Sequence, residues 1–258
     1  MITKNGISKY LREDVSVLVY DELVSTNLTA RDLAEESNKD TLIAAHRQTG
    51  GRGRMGRSFF SPSGGLYMSL LLHPTMPSHK ATGLTAAAAV ATARAIDRVS
   101  GKKSEIKWVN DIYLDNRKVC GILAEAQIKD DGFMKYVVVG IGINLTVPRG
   151  GFPADIAGRA GALFDGDMPQ DADNRIAAEI VNELLPMYRG GLLVSDYLDE
   201  YRKRSNIIGR DVDVMRIVDG ESRPAKAVAI DDVCRLVVRY PDGVVEALGS
   251  GEVSVRGR

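Results

Sequence analysis

Arginine and glycine are concentrated in the eleven residues Arg47 to Arg57, which contain four of each and no acidic residue. Glycine exposes backbone N–H groups, and arginine supplies forked cationic donors that suit phosphate oxygens. The segment therefore predicts a loop that folds around a phosphate. Because its positive charges repel one another, we expect the loop to be mobile when empty and ordered when an anion is bound. Taken alone, these residues are equally compatible with a solvated surface loop or a nonspecific RNA contact.

A second candidate cluster comprises Lys107 to Asp111 and the following strand-like run Arg117 to Glu125. Strand alternation places Lys118 among apolar neighbours, where its ammonium group would be partly shielded from water. At a separation of 4 Å and an effective dielectric constant of 20, its attraction for an anion is about 4 kcal/mol before desolvation. Without other context, an edge-strand lysine and a core aromatic side chain at Trp108 are the simpler interpretations.

Several other chemistries are excluded by their missing motifs. The segment Gly140 to Leu145 contains a GxG pair, but no third glycine and no helix start follow, so dinucleotide binding is weakly supported. A GxxxxGK[ST] loop and a GxSxG nucleophile motif are both absent from the sequence. The three histidines, His46, His73 and His79, have no metal-ligand spacing.

The composition describes a protein without strong global charge. Of its 258 residues, 34 are Lys or Arg and 34 are Asp or Glu, so the formal net charge is zero and any basic patch must be local. The two cysteines lie far apart, which fits reduced thiols in a cytoplasm. Since no secretory signal and no apolar stretch of about 20 residues is visible, we expect a soluble cytoplasmic protein.

Hydrophobic periodicity indicates the elements that must position these groups. A long alanine-rich helix is expected over Lys80 to Val99, after strands that alternate with a shorter helix. Short apolar runs separated by turn residues predict antiparallel hairpins over Glu105 to Ile143. Two helices over Asp171 to Tyr188 and Leu193 to Arg204 are expected to pack as a pair. After about Ser205, alternating valines and Asp-Gly turns predict a small all-β unit.

Five motifs occur in an order that resembles biotin protein ligase. They are Ser25-Thr26-Asn27, Gln48 to Arg57, Lys107 to Asp111, Arg117 to Leu123 and Gly140 to Asn144. The resemblance covers nearly the whole chain. It implies an α+β fold in which residues 1–204 form a mixed, largely antiparallel catalytic sheet of the class II synthetase-like type. Residues 205–258 are then expected to form an SH3-like β-barrel.

The resemblance also implies a reaction and its participants. Biotin and Mg²⁺-bound ATP would give biotinyl-5′-AMP, and a lysine of a biotin carboxyl carrier domain would take the biotinyl group. Only about 14 residues precede the first expected strand, so the enzyme-only form without a DNA-binding domain is expected. We also expect a homodimer through the catalytic sheet, and no nucleic-acid or membrane partner. The alternatives are a lipoate or octanoate ligase or transferase of the same fold and a noncatalytic Arg/Gly nucleic-acid-binding module.

Site residues follow from the resemblance, motif by motif. The catalytic residues implied are Lys118, Arg52, Lys107 and Asp111. The substrate-binding residues implied are Ser25, Thr26, Asn27, Gln48, Gly51, Arg52, Gly53, Arg54, Trp108, Lys118, Gly121 and Asn144. In this scheme Lys118 contacts both the biotin carboxylate and the phosphate, and Asp111 helps to place the magnesium ion or the attacking lysine.

Three residues depart from the usual pattern of the family. Val109 stands where a proline is usual, Cys120 where an alanine is usual, and Phe59 where a tryptophan commonly follows the arginine-glycine loop. The first two departures are expected to change packing. The third is expected to weaken an aromatic surface that orders the loop or holds adenine.

Overall fold

A seven-stranded mixed sheet forms the first part of the chain in the computed structural model, which describes residues 1–216, 221–249 and 253–257. Its strands are β1 (Ser16–Leu23), β2 (Thr41–Gln48), β3 (Leu66–Leu72), β4 (Glu105–Lys107), β5 (Asp111–Leu114), β6 (Arg117–Ile128) and β7 (Met134–Ile143). Their order in the sheet is β1-β2-β3-β7-β6-β5-β4. Strands β1 and β2 are parallel, whereas β4 to β7 form the antiparallel hairpins that the sequence predicts.

Helices connect and cover this sheet. They are α1 (Lys4–Ser8), α2 (Thr26–Ala34), α3 (Ala81–Ser100), α4 (Ala154–Ala157), α5 (Ala172–Arg189) and α6 (Leu198–Arg204). Hydrophobic periodicity predicts α2, α3, α5 and α6, although α6 begins at Leu198 and not at Leu193, and it misses the short α1 and α4. The expected packing of α5 and α6 as a pair is wrong, because both helices pack mainly on α3. Within the described ranges, no helix has the length and apolar character needed to cross a membrane.

A second, antiparallel sheet follows α6 and confirms the expected β-rich C-terminal part. Its strands are β8 (Asp211–Arg216), β9 (Ser222–Ile230), β10 (Leu236–Arg239), β11 (Val245–Leu248) and β12 (Val253–Gly257). They lie in the order β11-β10-β9-β8-β12. Among the described residues, β11 and β12 form the two edges of this sheet and are not paired with each other. The sheet is therefore not closed into a barrel by these strands.

Small side chains set the distance between α3 and the large sheet. The alanines from Ala86 to Ala89 are fully buried, and so is every residue of β3. Because alanine places only a methyl group at the interface, the helix backbone approaches the sheet closely. The resulting rigid layer supports the strands that carry the site.

Partly buried ion pairs hold helices α3, α5 and α6 together. The Arg94 Nε atom donates to Glu200 at 2.7 Å, and its Nη1 atom donates to Glu183 at 3.2 Å. Arg204 donates through Nε to Glu200 and through Nη1 to Asp97, both at 2.7 Å. Because each carboxylate and guanidinium here is at most 30% exposed, solvent screens these pairs less than ordinary surface pairs.

Substitution of Arg204 by methionine should destabilise the protein. The Arg204→Met variant keeps an apolar stem but leaves Asp97 and Glu200 without two charge-assisted hydrogen bonds. We expect the free energy of unfolding to fall by about 2 kcal/mol, measured by urea denaturation. Lys203→Met on the exposed face of the same helix is the matched control and should change little. An unchanged unfolding midpoint in Arg204→Met would contradict a stabilising network.

The same variant should alter the acid limb of the stability curve. Burial raises the pKa of Glu200, but hydrogen bonds from Arg94 and Arg204 outweigh burial and hold it below its ordinary value. A lowered carboxyl pKa contributes stability above the unfolded-state pKa of about 4.3 and loses it as the pH falls further. Arg204→Met should therefore show a shallower loss of stability below about pH 4.3. Parallel pH profiles for both proteins would refute this assignment.

Candidate active site

A cavity of about 620 Å³ brings together the groups that the sequence analysis identified. It lies between the N-terminus of α2, the end of β2, the arginine-glycine loop and strands β4 to β7. Its predicted lining residues are Ser25, Thr26, Asn27, Gln48, Arg52, Gly53, Arg54, Lys107, Trp108, Asp111, Lys118, Gly121 and Asn144. Residues from five separate segments of the chain therefore line the same cavity.

Gly51 is the one predicted site residue that does not line this cavity. It is buried behind the loop, where an added Cβ atom would lie 2.3 Å from the Phe59 carbonyl oxygen and 2.4 Å from Ser61 Oγ. The structure therefore gives Gly51 a packing role, because no larger residue fits between these atoms.

Buried polar groups line the end of the cavity at α2. Ser25, directly before the helix, is 2% exposed, and Thr26 is 3% exposed. The Thr26 backbone N–H and hydroxyl both donate to Gln48 Oε1, at 2.8 and 3.1 Å. The Gln48 amide in turn donates to Ser61 Oγ at 2.9 Å. Since each group is held by another, this end of the cavity presents polar atoms with fixed directions on buried side chains.

Asn27 is held from two sides. Its Nδ2 atom donates to Glu125 Oε2 at 2.8 Å, and its Oδ1 atom accepts from Ser69 Oγ at 2.7 Å. A Cβ atom at Gly140 would lie 2.0 Å from Asn27 Oδ1, so this position on β7 requires glycine. Sequence reasoning missed Ser69 and Glu125. The signal was available, since each is a lone polar residue directly after a run of apolar strand residues.

The arginine-glycine loop forms a tight hairpin in the structure. Arg52 and Ser58 form an antiparallel bridge, and the Gly53 N–H donates to the Arg57 carbonyl at 2.7 Å. Met55 at its tip has a φ of 57°, in the left-handed region. The hairpin directs its arginines toward the cavity from one side.

Each of the two central loop arginines has a partner outside the loop, on β6 for Arg52 and in the turn between β4 and β5 for Arg54. Arg52 Nη2 lies 3.2 Å from Glu125 Oε1, and Arg54 Nη1 donates to Asn110 Oδ1 at 3.0 Å. Burial lowers the pKa of Arg54, an effect that the nearby Asp111 opposes. The guanidinium groups are thus placed by the sheet and not by the loop alone.

Lys118 and Asp111 form the closest ion pair in the cavity wall, with 2.7 Å between Nζ and Oδ1. The Lys118 side chain is 31% exposed, which agrees with the partial shielding expected from strand alternation. Its backbone is fixed by the segment after α4, because its N–H donates to Arg159 and its carbonyl accepts from Gly161. The sequence analysis considered Asp111 beside a magnesium ion or an incoming lysine, and the structure pairs it with Lys118.

Lys107 and Asn144 complete the polar wall. Lys107 Nζ lies 5.7 Å from the centroid of the Tyr113 ring. Burial and the nearby Asp111 raise the pKa of Tyr113 to about 12, so this phenol remains neutral near neutral pH. Asn144 Nδ2 donates to the Gly161 carbonyl at 2.9 Å. The arrangement leaves both side chains facing the cavity with defined orientations.

Trp108 joins the cavity wall to the second sheet. The indole is 6% exposed, and its Nε1 atom donates to the Cys234 carbonyl at 2.9 Å. The neighbouring Val109 is buried, and its carbonyl accepts from the Tyr201 hydroxyl at 2.9 Å. Cys120 is fully buried, and burial raises the pKa of its thiol, which makes a thiolate nucleophile unfavourable. Val109 and Cys120 are thus packing positions.

Phe59 places an aromatic ring inside the cavity. Cβ atoms added to Gly121 and Gly142, which face each other on β6 and β7, would lie 3.1 and 2.6 Å from this ring. Lys118 Nζ lies 6.0 Å from the ring centroid. Phe59 therefore provides an aromatic surface at a position where tryptophan is common, and Gly121 and Gly142 leave space for its ring.

The collected charges define what the cavity can do. Four predicted cations, Arg52, Arg54, Lys107 and Lys118, line it together with buried polar groups. Within the described part of the chain, no group of three or more His, Cys, Asp or Glu side chains could hold a metal ion. The site is thus suited to a polyanion placed next to a small polar ligand.

Family models match two parts of the chain. Residues 21–144 match the biotin/lipoate A/B protein ligase family, and residues 207–256 match the biotin protein ligase C-terminal domain. The first match contains the residues of the five motifs that line the cavity, and the second covers most of the second sheet.

Known proteins resemble the chain over different lengths. It is 40% identical to the bifunctional ligase/repressor BirA of Bacillus subtilis over 149 residues, which is 57% of this chain and 46% of that protein. The chain thus matches about half the length of this relative. BirA of Escherichia coli is 32% identical over 250 residues, covering 93% of this chain and 74% of that protein. A biotin--[acetyl-CoA-carboxylase] ligase of Mycobacterium tuberculosis is 30% identical, covering 82% and 79%.

Solved structures share the fold. A biotin protein ligase from Aquifex aeolicus in complex with biotin and ATP superposes with a TM-score of 0.75 at 24% identity, covering 94% of this chain and 99% of that one. These similarities confirm the resemblance that the five motifs predict. The chain belongs to the biotin protein ligase family.

Proposed function

We propose that this protein is a biotin protein ligase, which activates biotin with ATP and transfers the biotinyl group to a lysine of a biotin carboxyl carrier domain. The observation that carries the proposal is one cavity that joins the buried polar groups at α2 to six cationic side chains, which are the four predicted ones together with Arg57 and Arg159. Its relatives include a biotin--[acetyl-CoA-carboxylase] ligase, and the C-terminal match is to the biotin protein ligase domain. That domain match favours biotin over lipoate or octanoate.

The first step has an electrostatic obstacle, because the biotin carboxylate and the ATP triphosphate repel each other. In the proposed reaction a carboxylate oxygen attacks the α-phosphorus, and the bond to pyrophosphate breaks. Arg52, Arg54, Lys107 and Lys118 would offset the repulsion and stabilise the charge that develops in the transition state. Mg²⁺ would enter with ATP as part of the substrate. Asp111 would hold the Lys118 ammonium in position until the two anions arrive.

The polar end of the cavity would select the biotin ring. Ser25, Thr26, Asn27 and Gln48 supply hydrogen-bonding groups in a buried environment, where an unmatched ligand would leave them unpaired. The floor formed by Gly121 and Gly142 would let the ligand lie close to the sheet beside Phe59. Specificity would thus come from few polar contacts in a shaped slot.

In the second step the amine of the acceptor lysine would attack the mixed anhydride carbonyl and lose a proton, and the bond to AMP would break. Cations around the phosphate stabilise the departing AMP. The loop of Arg52 and Arg54 would cover the intermediate and keep water from hydrolysing it.

Further parts of the proposal are a catalytic domain over residues 1–204, an SH3-like domain over residues 205–258, a cytoplasmic location and a homodimer through the catalytic sheet.

Mass spectrometry of a purified carrier domain tests the proposed function. Incubation with the protein, biotin and Mg-ATP should add one biotinyl group to the carrier, and omission of ATP should abolish the addition. Lipoate with ATP is the competing arm, and thermal shift with each acid plus ATP provides an independent comparison. Modification by lipoate but not biotin would favour the alternative ligase. Salt-dependent retention of RNA without any ATP consumption would favour the nucleic-acid-binding alternative.

Lys118→Ala should separate binding from chemistry. Loss of the ammonium group removes charge stabilisation at the reacting centre, so single-turnover formation of biotinyl-5′-AMP should fall by about 10²–10³-fold. Biotin affinity, measured by calorimetry, should change much less. Lys135→Ala is the matched control. It removes an exposed lysine on β7 of the same sheet, which pairs with Glu35 at the end of α2. Unchanged single-turnover adenylation in Lys118→Ala would remove this residue from its assigned role.

Limited trypsin digestion should report ordering of the loop. The bond after Arg52 and the bond after Arg54 should be protected by biotin plus Mg-ATP, because phosphate contacts relieve the mutual repulsion of the loop cations. Cleavage after Lys129, in an exposed turn outside the cavity, serves as the internal reference. Equal rates of loop cleavage with and without ligands would mean that the loop does not close on them.

A further inference from the structure

One carboxylate connects the two halves of the cavity. Glu125 lies on β6, beyond the motif residues that carry the resemblance, and is not among the residues that line the cavity. Its Oε2 atom accepts a hydrogen bond from Asn27 Nδ2 at 2.8 Å, while its Oε1 atom lies 3.2 Å from Arg52 Nη2. The two oxygens of one side chain therefore contact the polar slot and the arginine-glycine loop at the same time.

The contact with Asn27 determines which way that amide points. An ionised carboxylate can only accept hydrogen bonds, so Asn27 must turn its NH₂ group toward Glu125. The amide oxygen then faces the buried Ser69 hydroxyl, 2.7 Å away. Asn27 is 4% exposed, so a reversed amide would bury two acceptors against each other. Glu125 thereby sets the pattern of donors and acceptors at this end of the cavity.

The contact with Arg52 determines where the loop begins. Glu125 is 24% exposed and Arg52 is 39% exposed, so solvent only partly screens the pair. Arg52 also forms the backbone bridge to Ser58 at the base of the hairpin. Holding its guanidinium against β6 therefore fixes the base of the loop relative to the sheet.

We propose that Glu125 is a positioning residue that couples the biotin slot to the phosphate-binding loop. The inference rests on the proposed function. Biotin bound at Asn27 would strengthen the Asn27–Glu125 contact that the structure already contains, and the more firmly held carboxylate would keep Arg52 beside the site of the triphosphate. ATP then binds to a loop that has already lost part of its conformational freedom, so each ligand strengthens binding of the other.

Two substitutions separate the contacts of Glu125. Glu125→Gln retains an oxygen that accepts from Asn27 but loses the charge that attracts Arg52. Glu125→Ala loses both contacts. We therefore expect biotin affinity in the absence of nucleotide to stay within about twofold in Glu125→Gln and to fall about tenfold in Glu125→Ala. Coupling between biotin and nucleotide should be lost in both variants.

The deciding measurement is calorimetric titration of the full chain with a nonhydrolysable ATP analogue, with and without saturating biotin. In the unmodified protein, biotin should tighten analogue binding by about fivefold or more. In Glu125→Gln the same ratio should fall below about twofold. Glu13→Gln is the matched control, because it weakens another glutamate–arginine pair of similar exposure, Glu13 with Arg189 at 2.7 Å, outside the loop and the cavity. This control should keep the full ratio.

Three outcomes are distinguishable on the same samples, each checked for folding by thermal melting. If the unmodified protein forms no biotinyl-5′-AMP from biotin and Mg-ATP, the proposed function fails. If it forms the adenylate but the coupling ratio is near one, or equal in Glu125→Gln, the role of Glu125 is overturned. Should Glu125→Ala fail to fold, the near-isosteric Glu125→Gln still decides the question.

Discussion

The constraint on which the site depends is that several cations must share one cavity before any anion arrives. Isolated, they would repel one another and open the loop, so the empty site needs compensating charge. Asp111 and Glu125 supply it, at 2.7 Å from Lys118 and 3.2 Å from Arg52. Both carboxylates belong to the sheet, which is why the sheet fixes the positions of these two cations. Partial exposure of the Lys118–Asp111 pair leaves it weak enough for Lys118 to exchange Asp111 for substrate.

The scaffold meets this constraint by keeping its polar groups paired and its strands rigid. Thr26, Asn27 and Gln48 are each hydrogen-bonded within the site, so their polar atoms keep fixed directions. Glycines on β6 and β7 allow side chains to cross the strands at close range. Behind the sheet, the alanines of α3 permit dense packing, which holds the strand registers that bring the motifs together.

Local sequence was sufficient for elements whose pattern is strong. The alanine-rich run predicts α3, and turn residues such as Asp115 and Asn116, both observed with positive φ, predict the β5–β6 hairpin. The pairing of α5 with α6 was predicted wrongly, because periodicity shows that a helix has an apolar face but not which helix covers it. Gly51, which is predicted to contact the ligand, is packed beneath the arginine-glycine loop and does not line the cavity. Local sequence does not distinguish a glycine that contacts a ligand from a glycine that is packed beneath the same loop.

The order and content of the five motifs were enough to identify the family and most polar residues of the cavity wall, because those residues lie in short contiguous segments with distinctive chemistry. Lining residues outside the motifs, such as Tyr113, Phe152 and Arg159, were not identified. Their partners could not be read in that way. The contacts of Asn27 with Glu125 and of Trp108 with Cys234 join residues 98 and 126 positions apart. Such contacts depend on strand register and on how the second sheet meets the first. Only the folded chain decides these distances, since no local pattern encodes which distant carboxylate or carbonyl will face a given donor.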